Sequence, residues 1–352
     1  MKVYSPAEGA RGRFDELDGL RGIAAGAVVV YHFTSPFDGY FPGLPKAPFD
    51  FTEGAYGVQL FFLISGFVIL LTAQRAKRPS DFLIARISRL YPTYWVALTI
   101  TLGFILASGY AVVAVTPVQV AVNYTMLQRY VLVENVDKSY WTLAVELVFY
   151  GIMWLLLVAN RSRLTERLIT RVVAVWLPIS AVVSWWVGTE APSLTDKILL
   201  NVTIAEYAPL FCAGMLLQLS RADGTLRPLV FPAGLVAALN AALLHTPYDG
   251  LIVAIVFLAF TLVVIVPSVG WLARGPLQFL GTISYPLYLL HQVIGIIIMR
   301  AVIEPLGRVP AMLVAAAIVV LLAVGLHRVV EGPWTRTFRT WLIRARDRLA
   351  RA

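Results

Sequence analysis

The chain has 352 residues, of which 59% are hydrophobic and 14% charged, with a formal net charge of +9 and one cysteine. So much apolar weight excludes a soluble enzyme, and a lone Cys212 excludes an internal disulfide and offers no metal-ligand spacing. The basic excess is the kind that topology and anionic lipid explain in a polytopic membrane protein, and it does not point to a nucleic-acid partner.

In chain order, the opening MKVYSPAEGARGRFDE is polar, with no apolar core ahead of a small-residue cleavage site, and reads as an arm over residues 1–16 and not as a signal peptide. Apolar runs long enough for a ~30 Å hydrocarbon core follow near 17–34, 56–73, 90–108, 142–159, 170–187, 203–219, 229–245, 250–267, 283–303 and 309–328. The expected fold is therefore all-α, a polytopic membrane bundle of about ten transmembrane helices. One set of alternate connections carries Arg75, Lys77, Arg78, Arg86 and Arg89, then Arg161, Arg163, Arg167 and Arg171, and ends in a tail from Arg336 to Arg351. The other set holds only Lys46, Arg129, Lys138, Lys197, Arg300 and Arg308. Positive charge marks the cytoplasm, so both termini are expected inside, with a transmembrane domain over 17–334 and a basic cytoplasmic tail over 335–352. Of two long outward connections, 35–55 is rich in Pro, Gly and aromatic residues and suits either an ordered loop at the bundle mouth or a plain connector. The other, 109–141, contains TPVQVAVNYTMLQRY, too short and polar for a span and suited to a half-inserted segment lining a cavity.

Polar groups inside apolar runs are the candidate chemistry. Arg21 and His32 lie in LDGLRGIAAGAVVVYHF; about eleven helical steps return to within roughly 20° and climb about 16 Å, so both share one helix face. Lipid disfavours a centred Arg by roughly 2.5–3.5 kcal/mol, so the pair is expected to look into a protein interior or a wet cavity. His32 has the intrinsic pKa of a general base, and equally suits a hydrogen-bonded histidine near the membrane interface. A guanidinium is a poor base, so Arg21 suits phosphate binding, or an i,i+3 bridge to Asp18. Arg86 and Arg89 stand one helical turn apart, where two guanidinium forks can grip phosphates and where topology alone also places basic residues. Glu146 is the lone acid in WTLAVELVFY and needs a partner or a proton, His32 being one candidate and an interhelical hydrogen bond another. His291, after YPLYLL, can line a cavity or join two helices. Ser65 lacks the setting of a hydrolase nucleophile and, beside Gly66, suggests close helix packing.

The segments LDGLRGIAAGAVVVYHF, GVQLFFLISGFVI, ARISRLYPTYW, NYTMLQ, VDKSYWTLAVELVFY, GTISYPLYLLHQ and VVEGPW resemble, in order, the signature segments of the acyltransferase 3 family of integral membrane O-acyltransferases, from about residue 14 to about residue 334. The resemblance implies transfer of an acyl group, acetyl above all, from cytoplasmic acyl-CoA to a hydroxyl of a sugar, polysaccharide, lipid-linked glycan or macrolide, with no metal. It implies His32 as general base or acyl carrier, with Glu146 as a catalytic or site-organising acid. Arg21, Arg86 and Arg89 become acyl-CoA contacts, and Asn123, Asp137, Trp141 and His291 acceptor contacts. A bacterial cytoplasmic membrane is the expected location. With no fused extracytoplasmic domain visible, a separate partner protein can receive the product. The rival reading is a non-enzymatic glycan or lipid transporter in which Arg21, Glu146 and His32 relay protons; it predicts internal repeats, and none is seen.

Overall fold

The computed structural model describes residues 15–189, 193–266 and 269–349. Most of the expected N-terminal arm and the last three residues of the tail lie outside them. The chain runs through α1 (Glu16–Phe33), α2 (Ser35–Tyr40), α3 (Gly57–Gln74), α4 (Pro79–Ser108), α5 (Pro117–Asn123), α6 (Trp141–Ala159), α7 (Glu166–Thr189) and α8 (Leu194–Thr203). It continues through α9 (Ala208–Asp223), α10 (Val230–Leu244), α11 (Pro247–Ile265), α12 (Gly275–Thr282), α13 (Ser284–Leu290), α14 (Gln292–Leu306), α15 (Arg308–Leu326) and α16 (Thr335–Leu349). A π-helix, His327–Trp334, joins the last two. There is no β-strand among the described residues.

Among the described residues seven helices are long and apolar enough to cross a membrane, or eight if α13 and α14, bent by 57°, form one span. The protein is a multi-pass membrane protein. Two segments expected to span fall short of that standard for separate reasons. Helix α1 carries Glu16, Asp18 and Arg21 within its 18 residues, and α10 has 15 residues, about 22 Å against a core of ~30 Å. Helix α4 is longer than expected. Its 30 residues would extend about 45 Å, so its first turns, with Arg86 and Arg89, continue the helix beyond the predicted span at 90–108.

The chain divides into two compact units. Of the described residues, the first comprises 15–24, Tyr56–Pro79 and those within Val145–Gly281. Its centre is the contact of α3 with α9, where glycines let two backbones touch. A Cβ on Gly66 would meet the Phe211 carbonyl at 2.2 Å, and one on Gly214 the Leu63 carbonyl at 2.1 Å. Lipid tails give no hydrophobic drive between helices, so such close van der Waals contact supplies the cohesion. Phe211 stacks on Phe149 at 4.2 Å and leans on Phe62 at 5.0 Å. A polar tie adds to this, Asn240 Nδ2 donating to Ser180 Oγ at 2.9 Å and to the Ala205 carbonyl at 3.1 Å.

The second unit comprises, of the described residues, Ala25–Ala55, Ser80–Ala144 and 282–349. Three tyrosines lace it together. Tyr94 donates to the Asn123 carbonyl (2.8 Å), Tyr140 to that of Leu289 (3.1 Å) and Tyr285 to that of Leu90 (2.9 Å). The expected half-inserted segment is a short helix, α5, opened by a reciprocal cap between Thr116 and Gln119. Helix α16 lies along α4, with Phe338 edge-on to Trp95 and Arg346 paired to Asp81.

Candidate active site

His32 stands at the end of α1, in the second unit, where the chain stops being apolar. The helix ends at Phe33, and Thr34 folds its hydroxyl back onto the Tyr31 carbonyl at 2.9 Å. Arg308, the first residue of α15, completes this end. One nitrogen, Nη2, donates to the carbonyls of Phe33 (2.7 Å) and Thr34 (3.1 Å) and to Asp38 Oδ1 (2.9 Å), while the guanidinium lies 4.1 Å over the Phe37 ring. Free carbonyls at a helix C-terminus are a natural seat for a cation. The neighbouring Phe33 fills the space a side chain would take at Gly295, since a Cβ there would come within 2.2 Å of its ring.

His32 meets His291, which occupies the bend between α13 and α14. Nδ1 of His32 lies 2.9 Å from the Val28 carbonyl and 3.1 Å from Nε2 of His291, and the rings meet edge to face at 4.8 Å. His291 is fully buried, and its own Nδ1 donates to the Tyr288 carbonyl at 2.7 Å. The bend frees backbone groups that must find other partners. Asp137 supplies one, Oδ2 accepting the Val293 N–H at 2.9 Å while Oδ1 accepts the backbone N–H and hydroxyl of Ser139 at 2.8 and 2.6 Å. Tyr288 adds a link, accepting from Thr142 and donating to the Ser139 carbonyl.

Of the residues singled out in the sequence, the second unit thus brings together His32, His291 and Asp137. Asn123 is buried and spent on its own loop, donating to the carbonyls of Gln119 and Glu134 and accepting from the Val136 N–H. Trp141 opens α6 half-buried, with the Arg129 guanidinium 5.4 Å from its ring. Arg86, buried, and Arg89, half-buried, lie on α4 in the same unit. Arg21 and Glu146 belong to the first unit. Arg21 forms the i,i+3 bridge to Asp18, at 3.5 Å, and Glu146 accepts from Ser65 Oγ at 2.8 Å. The partner this half-buried carboxylate takes is an α3 hydroxyl, so Ser65 does more than pack. Among the described residues no three His, Cys, Asp or Glu side chains form a group able to hold a metal.

Sequence reasoning passed over Arg308, Asp38, Gly295 and Tyr288. A signal existed for the first. A cation at the start of a helix opposes the macrodipole, so Arg308 needed a use beyond topology.

Comparison with known proteins adds the following. The family model acyltransferase 3, described as an acyltransferase domain, matches residues 14–328. The exopolysaccharide production protein ExoZ of Rhizobium meliloti is 26% identical over 336 residues, covering 85% of this chain and 95% of the relative. Nodulation protein 10 of Rhizobium leguminosarum bv. viciae is 28% identical over 191 residues, 49% of this chain and 50% of that protein. No solved structure matches the chain.

Proposed function

The chain belongs to the acyltransferase 3 family and is an O-acyltransferase, and from that premise we propose that it moves an acetyl or similar acyl group from cytoplasmic acyl-CoA to a hydroxyl of a polysaccharide or its lipid-linked precursor. The carbohydrate acceptor is supported by a relative named for exopolysaccharide production. The carrying observation is His32, an imidazole at the end of an otherwise apolar helix half, held by a neighbouring carbonyl and a second histidine.

In the proposed reaction the acceptor oxygen attacks the thioester carbonyl while His32 removes its proton. The C–S bond breaks, the proton passes to the departing thiolate, and an ester and free coenzyme A result. Positioned base catalysis of this kind contributes roughly 10²–10⁴-fold. In the variant with an acyl carrier, His32 attacks the thioester first, the C–S bond breaks and coenzyme A leaves as the thiol with the proton the acylated ring gives up. The acceptor oxygen then attacks the acyl carbon, the C–N bond breaks and the hydroxyl proton returns to His32. Arg86 and Arg89, with Arg21, are the proposed phosphate contacts, and Glu146 a proposed site-organising acid. Trp141 is the proposed acceptor contact, with Asn123 and Asp137 shaping the loop that presents it. We assign ten crossings, α1 and α10 included, with both termini in the cytoplasm of a bacterial cell and the bundle in its cytoplasmic membrane.

The test is His32→Ala in protein reconstituted with acyl-labelled acetyl-CoA and surface glycan. Loss of labelled ester and of coenzyme A release, with membrane amount unchanged, is the expected result. Near-normal turnover would remove His32 from the chemistry, and passage of unmodified glycan without coenzyme A release would mean a transporter.

A further inference from the structure

A carbonyl oxygen only accepts hydrogen bonds, and that fixes the protons on both rings of the histidine pair. Nδ1 of His291 faces the Tyr288 carbonyl at 2.7 Å, so it carries the N–H and Nε2 of that ring presents a lone pair. Nδ1 of His32 therefore faces two acceptors, the Val28 carbonyl at 2.9 Å and His291 Nε2 at 3.1 Å, and must carry a hydrogen itself. A neutral imidazole protonated on Nδ1 keeps its lone pair on Nε2.

We propose that His291 is a positioning residue for acyl transfer. It holds His32 in the tautomer whose Nε2 is unprotonated, so that Nε2 takes the proton of the acceptor hydroxyl or, in the acyl-carrier variant, the acyl group. The inference rests on the reading of His32 as the reacting group and names the atom that reacts. The opposite tautomer would set the Nδ1 lone pair of His32 against two other lone pairs beside the fully buried His291, where such repulsion is less screened than in water. When Nε2 gains its proton, the remaining Nδ1–H already points at two acceptors, which stabilises the positive ring without rearrangement.

The surroundings hold His291 for this task. The ring sits at the 57° bend between α13 and α14. Asp137 fastens the far side of that bend through the Val293 N–H, and Tyr288, whose carbonyl orients the ring, is tied to Ser139 and Thr142 by its hydroxyl. Gly295, one turn on, receives Phe33, so the residue after His32 is seated on the helix that starts at His291.

The chain has four histidines, which makes a direct test practical. Full-length protein labelled with ¹⁵N-histidine in lipid bilayers is read by magic-angle-spinning NMR, with His245→Gln and His327→Gln used for assignment. The expected spectrum shows His32 and His291 both protonated on Nδ1, with the His32 Nδ1–H coupled to His291 Nε2. A His32 protonated on Nε2, or two rings with no such coupling, overturns the proposal. A kinetic arm is independent of the spectrum. His291→Leu should lower kcat roughly 100-fold with KM unchanged for both substrates, and His291→Gln, whose side-chain oxygen can accept from His32, should restore most of it. Full activity in the Leu variant, or a rise confined to the acceptor KM, also overturns it. If instead His32→Ala retains transfer, the catalytic reading falls while the spectrum still reports the tautomer.

Discussion

Glu146, half-buried, and Asp137, fully buried, are carboxylates among apolar helices that meet their need for donors differently. Glu146 takes a hydroxyl from the neighbouring α3, whereas Asp137 collects two backbone N–H groups and a hydroxyl. The need was legible in WTLAVELVFY, but the donor was not, because Ser65 lies far away in sequence and carries no periodic signal. Asp50 is the solvated counterpart. Fully exposed, its carboxylate accepts from Ser35 and Thr52, and the Ser35 hydroxyl above all holds its pKa below the ordinary carboxylate value. A depressed folded-state pKa contributes stability above the unfolded value that is lost as pH falls through the folded one. Amides in 35–55 should therefore exchange faster at about pH 3 than at about pH 6, after correction for intrinsic rates. Asp50→Asn should abolish the difference, and an unchanged pH response in that variant would reject the assignment.

At the scale of elements, the candidate site gathers where helices end. His32 closes α1, His291 separates α13 from α14, and Arg308 begins α15 while capping the end of α1. Each is a place where the backbone lacks partners of its own and side chains complete it. Arg308→Met keeps the bulk but leaves two carbonyls and Asp38 without their donor. Taking the buried guanidinium from two helix-end carbonyls and the half-buried Asp38 costs about 2–3 kcal/mol, which thermal unfolding in detergent should register as a clear loss. A loss under about 1 kcal/mol would mean that water replaces the guanidinium. Arg308→Lys should recover only part, since a shorter side chain ending in an ammonium has no flat face to lie over the Phe37 ring as the guanidinium does. The connection 109–141 teaches a related lesson. Asn123 and Asp137 there use their polarity to fold the loop itself.

For the whole molecule, hydropathy and Lys/Arg placement give a multi-pass protein, and the orientation they imply can be tested directly. Helix α16 exposes Arg336, Arg339, Arg344 and Arg348 with Trp341 and Leu349, a composition suited to the surface of an anionic leaflet. A fluorescent protein that matures only in the cytoplasm should be bright when fused after Ala352. Because Cys212 is buried, a Cys212→Ala, Lys46→Cys protein should react with an impermeant maleimide added outside intact cells. A dark fusion, or labelling only after lysis, would invert the topology.

The order of hydrophobic segments by itself determined that this chain crosses a membrane many times, which residues interrupt its apolar runs, and which family it resembles. These are properties of composition and local pattern, and transfer into lipid reads them one segment at a time. Only the tertiary structure decided that His32 answers to His291, that Asp137 secures a bend, that Glu146 turns to Ser65 and that Arg308 caps a helix from another part of the chain. Those pairings join positions 81 to 275 residues apart, and hydrogen bonds of that reach are set by how helices dock, which no local periodicity encodes.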